Sequence, residues 1–368
     1  MRGFLIEEYG APTSHRIHDL PDLSPGVNEV LIENHAIGLN FPDALMVQGK
    51  YQKRPNPPFG PGRDCAGVIK AVGEGVTEFK PGDPVVAQVF TGAFSEQVIA
   101  PLSRVFHRPE AVSAIDAAGA ITVFNTAYVA VSIRAGVKKG DRVVVTGAAG
   151  GVGLAAVQLA HALGAEVLGV VSSEEKAKLV REGGGDALIV TEREEEPLKQ
   201  VFKDKVRTHW GDDTGADVVI DTVGGAMFIA GLRCLGFAGR LVVVGFASGS
   251  IESAKANYLL YNNLSVMGAP LDIHFDHALE EMRAGTEWWL GLLAQGKVKA
   301  NVSEVLPFGQ LMQGLQDILD RKVAGTLRQY TRGAWSPNRH SIIAHDATPP
   351  GLTHHTHAIT HTLLLKHR

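Results

Sequence analysis

The chain has 368 residues, long for a single core and comfortable for two. Its 45% hydrophobic and 20% charged residues give the balance of a soluble enzyme, and a net charge of −4 comes without a basic run of the kind that grips nucleic acid. Two distant cysteines, Cys65 and Cys234, argue against a disulfide framework and for a reducing, cytoplasmic setting, the opening MRGFLIEEYG carries acids too early for a signal peptide, and no stretch approaches the roughly 20 apolar residues of a membrane span.

Residues 1–108 read as short strands (GFLIEEY, EVLIENHAIGL, AGVIKAVG, DPVVAQV, FSEQVIA) broken by Gly/Pro turns such as Pro81-Gly82-Asp83. That spacing predicts an all-β, partly closed barrel. Near Asp116 the texture becomes helical, and Lys138-Lys139-Gly140-Asp141 leads into the stretch around which the chain is organised, DRVVVTGAAGGVG at residues 141–153. Residues 142–145 predict a buried parallel strand. A glycine turn follows at once, and LAAVQLAHALG from Leu154 has helical spacing with a Gly at its end. Strand, glycine turn and helix open a dinucleotide-binding unit, in which bare backbone and a helix N-terminus receive the pyrophosphate. Against the G-x-G-x-x-G pattern, Ala148, Gly150 and Gly153 occupy the three positions, so the first glycine is missing. Ala149, Gly150, Gly151, Val152 and Gly153 are the expected cofactor contacts. A plain glycine-rich turn is the competing reading, and the residues beyond it must decide.

Strand patterns recur at 166–171, 187–191, 216–221, 239–245 and 264–268, with helical patterns between most of them. This predicts a doubly wound parallel sheet, whose ligands lie beyond the carboxyl ends of the strands. Gly150, Ser172, Val223, Gly245 and Phe246 fall there, although Val223 and Phe246 also suit ordinary turns. At the end of the second strand an NAD site usually has an acid; here stand Ser172 and Ser173, with Lys176 one turn on. Two hydroxyls and a cation suit the 2′-phosphate of NADPH. Glu174 and Glu175 would then have to point away, and a solvated helix face is the alternative for Lys176. Helices are expected at 275–296 and 308–322 with a strand at 302–306, all returning to the first domain. The end of the chain, rich in His, Thr and Pro, shows no periodicity and reads as a disordered or atypical tail. Zinc capture by His354, His355, His357 and His361 is set aside.

The chain resembles the medium-chain dehydrogenase/reductase superfamily and, within it, the zinc-independent NADPH:quinone oxidoreductase branch. The resemblance lies in GLNFPDALMVQGKY (38–51), PGRDCAGVI (61–69), KPGDPVVA (80–87), AFSEQV (93–98), NTAYVAV (125–131), GVKKGDRVVVTGAAGGVGLAAVQLAHALGA (136–165), DVVIDTVGG (217–225) and GRLVVVGFASG (239–249), and covers roughly residues 1–327. It implies an α/β protein with a GroES-like β-barrel domain (1–122, with 269–328 returning to it), a Rossmann doubly wound parallel-sheet domain binding NADPH (123–268) and a tail (329–368). It also implies a homodimer acting on a small quinone or enone, without nucleic-acid or membrane partners.

Zinc-dependent relatives hold a catalytic metal. Here Asn40 stands where the first ligand Cys would be, Arg63-Asp64 where a His-Glu pair would be, and His35 has no neighbouring ligand, so no metal is expected. Without a Lewis acid, reduction of a conjugated carbonyl is easier to rationalise than alcohol oxidation. The resemblance places Asn40 and Tyr51 in the cleft, where an amide and a phenol can hydrogen-bond the substrate oxygen. Tyr51 is also a candidate proton donor, though a slow one, with a turn tyrosine as the alternative. Asp43 and Asp64 match structural acids, Asn125 and Thr126 the segment beside the nicotinamide, and Cys65 is expected to pack. Relatives close their barrel with a Gly-Lys-aliphatic strand, which Gly325-Thr326-Leu327-Arg328 does not resemble, so that strand is expected to be missing. An enoyl-thioester reductase and a non-enzymatic NADPH-binding protein are the competing functions.

Overall fold

Two sheets of different character carry the chain, and one buried helix lies against both. The computed structural model describes residues 1–192, 195–211, 214–320, 322 and 328–331. The expectations for residues 332–368, zinc capture by the histidines included, lie outside the described residues.

The first part opens with β1 (Arg2–Phe4) and β2 (Ile17–Asp19), an antiparallel pair. There follow β3 (Glu29–Gly38), α1 (Phe41–Val47), β4 (Asp64–Val72), β5 (Pro84–Gln88), β6 (Gln97–Pro101) and β7 (Val105–His107). β3 pairs with β4 over nearly its whole length and with β6 along its first half, so most of its ten residues are buried on both sides. β4, β5 and β7 continue the sheet antiparallel. This is the curled sheet that the Gly/Pro spacing predicts.

Helix α2 (Ala114–Tyr128) is capped by Ser113, whose hydroxyl accepts from the Asp116 N–H at 3.0 Å. It runs on as a π-turn to Arg134. These 21 residues are long and apolar enough to cross a membrane, which corrects the expectation that no stretch approaches that length. They form a core helix: 72% of the apolar window is buried. Residues of α2 share one core with Ala36, Ala66 and Val86 of the curled sheet and with Val143 and Val145 of the parallel sheet.

The parallel sheet is built from β8 (Arg142–Thr146), α3 (Gly151–Ala162), β9 (Glu166–Val171), α4 (Glu174–Glu182), β10 (Asp186–Ile189), α5 (Glu195–Trp210), β11 (Ala216–Asp221), α6 (Ala226–Cys234), β12 (Leu235–Val243), α7 (Ala256–Asn262) and β13 (Ser265–Gly268). The strand order is β10-β9-β8-β11-β12-β13, all parallel. The order therefore reverses between β8 and β11, the crevice where such sheets take ligands.

Beyond it come α8 (Leu271–His277), α9 (Leu279–Ala294), β14 (Glu304–Val305), α10 (Leu311–Leu319) and β15 (Arg328–Thr331). α10 packs into the cluster of Phe4, Leu39 and Phe94, whereas α9 packs on α2, with Trp289 5.2 Å from Phe124. The expectation of a missing closing strand is overturned. β15 pairs antiparallel with β3, Gln329 opposite Gly38, and parallel with β14. Such pairing rests on main-chain hydrogen bonds, which need no aliphatic run.

Candidate active site

The turn after β8 is shaped by two glycines. Gly147 has φ +61°, and a Cβ there would lie 2.5 Å from Thr222 Oγ1. A Cβ on Gly153 would lie 2.3 Å from the Gly147 carbonyl oxygen, so only glycine lets the helix pass this close to the turn. The residue needing glycine's left-handed freedom is thus Gly147, one before the position assigned to Ala148, and the first glycine is displaced rather than missing. Gly150 is the exposed N-cap of the 12-residue α3 and has no side-chain cap, which leaves the first N–H groups of the helix without a capping side chain.

Asp221 at the end of β11 ties this turn to the next. It is fully buried and accepts from Thr146 Oγ1 at 2.5 Å, from the Val223 N–H at 3.0 Å and from the Gly224 N–H at 3.2 Å. The loop after β12 is laced to this one, with the Ala247 N–H donating to Thr222 O and the Ser248 N–H to Val223 O. Val223, Gly245 and Phe246 thereby stand together at the carboxyl edge, Phe246 38% exposed. Asp221 escaped the sequence reading, although an acid ending an apolar strand before Thr-Val-Gly-Gly was a usable signal.

The Ser172–Lys176 cluster divides by role. Ser173 caps α4, its hydroxyl accepting from the Lys176 N–H, so it is committed to the helix. Ser172 is exposed and receives the Lys176 ammonium at 3.3 Å. Glu174 turns to ion-pair with Arg181 along the helix. One hydroxyl and one ammonium are left to meet an anion.

On the curled-sheet side, Asn40 caps α1, where its N–H donates to Asp43 Oδ2 at 2.8 Å. Its amide Nδ2 donates to Asp64 Oδ2 at 2.8 Å. Asp64 Oδ1 accepts from Thr122 Oγ1 of α2 at 2.6 Å, and Thr122 in turn accepts from Gln88 Nε2 at 2.5 Å. Asp43 and Asp64 are both fully buried. Burial and the charge of Asp64 push Asp43 up to about 7, and burial pushes Asp64 up to about 6 against the pull of Thr122 and Asn40.

Tyr51, half-buried in the loop after α1, lies within the fields of Arg63, Asp272 and Asp43. Burial pushes its phenol up, helped by the two carboxylates and opposed by Arg63, so it is a weaker acid than a free tyrosine. Hydrogen-bond donation suits it better than proton release. Arg63 is buried, with Nη2 donating to Asp272 Oδ1 of α8 at 2.5 Å. Burial works against Asp272's ionisation, but Arg63 and Arg104 hold its carboxyl below the usual range. Asp272 had no sequence signal, because it arrives from 209 residues away.

Neighbouring residues of α2 join the two halves. Thr122 bonds Asp64, while a Cβ on Gly151 would lie 3.0 Å from Val123 Cγ1. The Asn40–Asp64 pair and the glycine turn therefore sit on one stretch of α2. Thr126, next in line, is half-buried and its hydroxyl donates back to the Thr122 carbonyl at 2.7 Å. Asn125 is different. It is fully buried, and its Oδ1 accepts from Thr286 Oγ1 and Trp289 Nε1, both at 2.8 Å. Its Oδ1 thereby ties α2 to α9, while its amide Nδ2 is buried without a partner among the described residues.

A zinc ion does not fit this donor set. The position of a ligand histidine holds the guanidinium of Arg63, and that of a ligand cysteine an amide hydrogen-bonded to Asp64. Among the described residues no three His, Cys, Asp or Glu side chains come together as a metal site. Cys65 is buried and its thiol pushed far up by burial, as a packing residue should be.

Residues 26–110 match the alcohol dehydrogenase GroES-like domain family, and residues 151–280 the zinc-binding dehydrogenase family. A quinone oxidoreductase-like protein 2 homolog from Nematostella vectensis is 35% identical over 303 residues, 82% of this chain and 81% of the relative. The quinone oxidoreductase of Rattus norvegicus is 32% identical over 87% of this chain and 94% of its own length. The crystal structure of Escherichia coli quinone oxidoreductase complexed with NADPH superposes with a TM-score of 0.80 at 27% identity, covering 90% of this chain and all of that one. With both halves matched and the relatives covered over most of their length, this chain belongs to the medium-chain dehydrogenase/reductase superfamily, in its quinone oxidoreductase branch.

Proposed function

We propose that the chain is an NADPH-dependent, zinc-independent reductase of quinones or α,β-unsaturated carbonyls. The observation that carries this reading is the adjacency on α2: Thr122 holds the Asn40–Asp64 pair while Val123 abuts Gly151 of the nucleotide turn. An oxidisable cofactor on the turn and a polar, partly apolar acceptor site are thereby neighbours.

The cofactor reading rests on Gly147 and Gly153, which clear room at the turn, on the uncapped start of α3, and on Ser172 with Lys176. These groups would hold the pyrophosphate and the 2′-phosphate, and the bound NADPH of the Escherichia coli relative supports the same choice. NADPH, when bound, supplies a hydride. The chain's own residues orient the acceptor: the second amide hydrogen of Asn40 and the Tyr51 phenol donate to its oxygen, and Phe90 and Tyr51 give it apolar walls. The absence of a fitting zinc donor set favours acceptors already activated by conjugation.

A homodimer is proposed as the working form. β13 is an edge strand of the parallel sheet, and Leu260 and Tyr261 just before it are 85% and 91% exposed. Light scattering tests that.

The function is tested by NADPH oxidation against a panel of quinones, enones and enoyl thioesters. Turnover of quinones or enones is the expected result. Turnover confined to thioesters would move the chain to the enoyl-thioester class, and cofactor binding without any turnover to a non-enzymatic role.

A further inference from the structure

Arg63 follows the Pro61-Gly62 turn at the start of β4, and its side chain is 3% exposed. One nitrogen, Nη2, is held by Asp272. The other two, Nε and Nη1, are buried with no acceptor among the described residues. An unfilled donor on a buried cation is among the costlier defects a fold can carry. Asp272 does not neutralise it alone, because Arg104 shares the same Oδ1 at 3.6 Å. The Phe90 ring lies 5.8 Å from the Arg63 guanidinium and 5.1 Å from Lys53 Nζ, and Tyr51 lies within the Arg63 field. The surroundings thus supply an aromatic wall and the fields of Asp272 and Asp43, but among the described residues no oxygen is hydrogen-bonded to these two nitrogens.

We propose that Arg63 is an oxyanion-binding residue, whose free N–H groups take the substrate carbonyl oxygen as it becomes an enolate or quinol oxygen. This rests on the reductase reading above. The hydride would come from a C–H bond of bound NADPH, leaving NADP+, and would form a C–H bond at the β-carbon of the enone as its π electrons move onto the oxygen. Arg63 stays protonated throughout and only balances that charge, while water later supplies the proton at carbon. A guanidinium fixed by Asp272 is already oriented, so it needs no rearrangement when charge develops. The residue thereby does electrostatically, from the ligand-histidine position, what a metal does in zinc-dependent relatives. The competing explanation is a buried water between Arg63 and the Asp43 Oδ1, which also lacks a partner.

Three variants separate these ideas. Arg63→Met removes the cation, Arg63→Lys keeps charge without the planar donors, and Asp272→Asn breaks the ion pair but leaves the guanidinium. For Arg63→Met we expect kcat with enones to fall roughly 10²–10³-fold, with NADPH Kd changed less than about twofold. Arg63→Lys should lose less, and Asp272→Asn least. Turnover should also become more sensitive to electron-withdrawing substituents on the enone in Arg63→Met, since the substrate must carry the charge unaided. A binding readout without turnover uses 4-nitrophenol, whose phenolate mimics the enolate oxygen. The wild-type protein should lower its pKa on binding, and Arg63→Met should not. Equal losses in Arg63→Met and Asp272→Asn with an unchanged substituent dependence would overturn the proposal, leaving Arg63 as a pin for α8. So would nitrophenol titration that ignores Arg63. If no quinone or enone turns over yet nitrophenolate still binds through Arg63, the reductase reading fails and the oxyanion site stands. Should Arg63→Met not fold, Arg63→Lys carries both readouts.

Discussion

Asn40 donates its amide to Asp64 at 2.8 Å, so the residue expected to face the substrate is anchored from behind by a fully buried carboxylate. The same carboxylate takes the Thr122 hydroxyl at 2.6 Å. Asp43, three residues after Asn40 in the first turn of α1, is buried too and has one oxygen without a partner among the described residues. Two carboxyls beside one amide, both pushed toward neutrality, make the Asn40 anchor sensitive to pH.

The first prediction follows from that pair. Asp43 and Asp64 stand at about 7 and about 6 in the fold, above the ordinary carboxylate value, so the folded chain holds these protons more tightly than the unfolded one. Stability is therefore fullest below about pH 4 as far as these groups are concerned, and it declines as pH rises toward 7. The thermal midpoint should fall between pH 5 and pH 8 by on the order of 5 °C. Asp43→Asn keeps an oxygen for the Asn40 N–H and should flatten that decline. A variant whose midpoint falls as steeply as the parent's would rule out Asp43 as its source.

Cofactor choice should follow the Lys176–Ser172 contact. A charge-assisted hydrogen bond to the 2′-phosphate is worth about 1.5–3 kcal/mol, a preference of roughly 10- to 150-fold for NADPH over NADH in kcat/KM. Lys176→Ala should lose most of that preference, and Ser172→Asp should move it toward NADH. Equal use of both cofactors by the parent enzyme would show that Lys176 only serves the α4 surface.

These residues also show what a sequence makes legible. The parallel sheet could be read because each buried strand leaves an apolar run and each turn a glycine cluster. Local signals place local structure, and the order 3-2-1-4-5-6 then follows from the connections. Contacts that arrive from far along the chain left no such mark. Asp272 reaches Arg63 across 209 residues, and nothing in LDIHFDH announces it. The bonds from Thr286 and Trp289 to Asn125 Oδ1 are equally silent in the sequence, because a motif fixes that residue's neighbourhood but not what its side chain bonds. β15 was overlooked because RQYT has no aliphatic pattern, while its hold on β3 lies in the main chain.

Metal removal should leave turnover unchanged. Arg63 and Asn40 take the places where zinc ligands would stand, and neither offers a metal a free anionic or imidazole donor. Dialysis against a strong chelator, followed by assay with an enone and NADPH, checks this. Activity lost and then restored by zinc would mean that a donor set forms elsewhere in the chain.

The closing strand gives a deletion test. A chain ending at Thr331 keeps β15, with its pairing to Ala36, Ile37 and Gly38 of β3. A chain ending at 327 loses it and exposes a β3 edge beside the Asn40 cap. The shorter chain should lose about 2–4 kcal/mol of stability, read by urea midpoint at unchanged m. Equal midpoints would show that β15 adds nothing to the curled sheet.

The last prediction concerns Tyr51. Its phenol is pushed up by burial, helped by Asp272 and Asp43 and opposed by Arg63, so we propose that Tyr51 serves as a hydrogen-bond donor and not as the source of the proton. Tyr51→Phe removes one donor to the substrate oxygen while leaving the ring packed on the cluster around Leu39 and Phe94. We expect kcat for enones to fall by roughly 10- to 10²-fold, less than the loss for removing a proton donor. Quinones should suffer less, because a quinol oxygen is the better anion and draws its proton from water. NADPH Kd should barely move, since the phenol belongs to the curled-sheet side. The pH profile distinguishes the two roles. If Tyr51 only donates a hydrogen bond, enone turnover shows no solvent isotope effect that disappears on Tyr51→Phe, and the profile near neutrality keeps its shape. A large isotope effect abolished by the substitution would restore Tyr51 as the proton donor, and the surrounding carboxylates would then have to be the groups that recharge it.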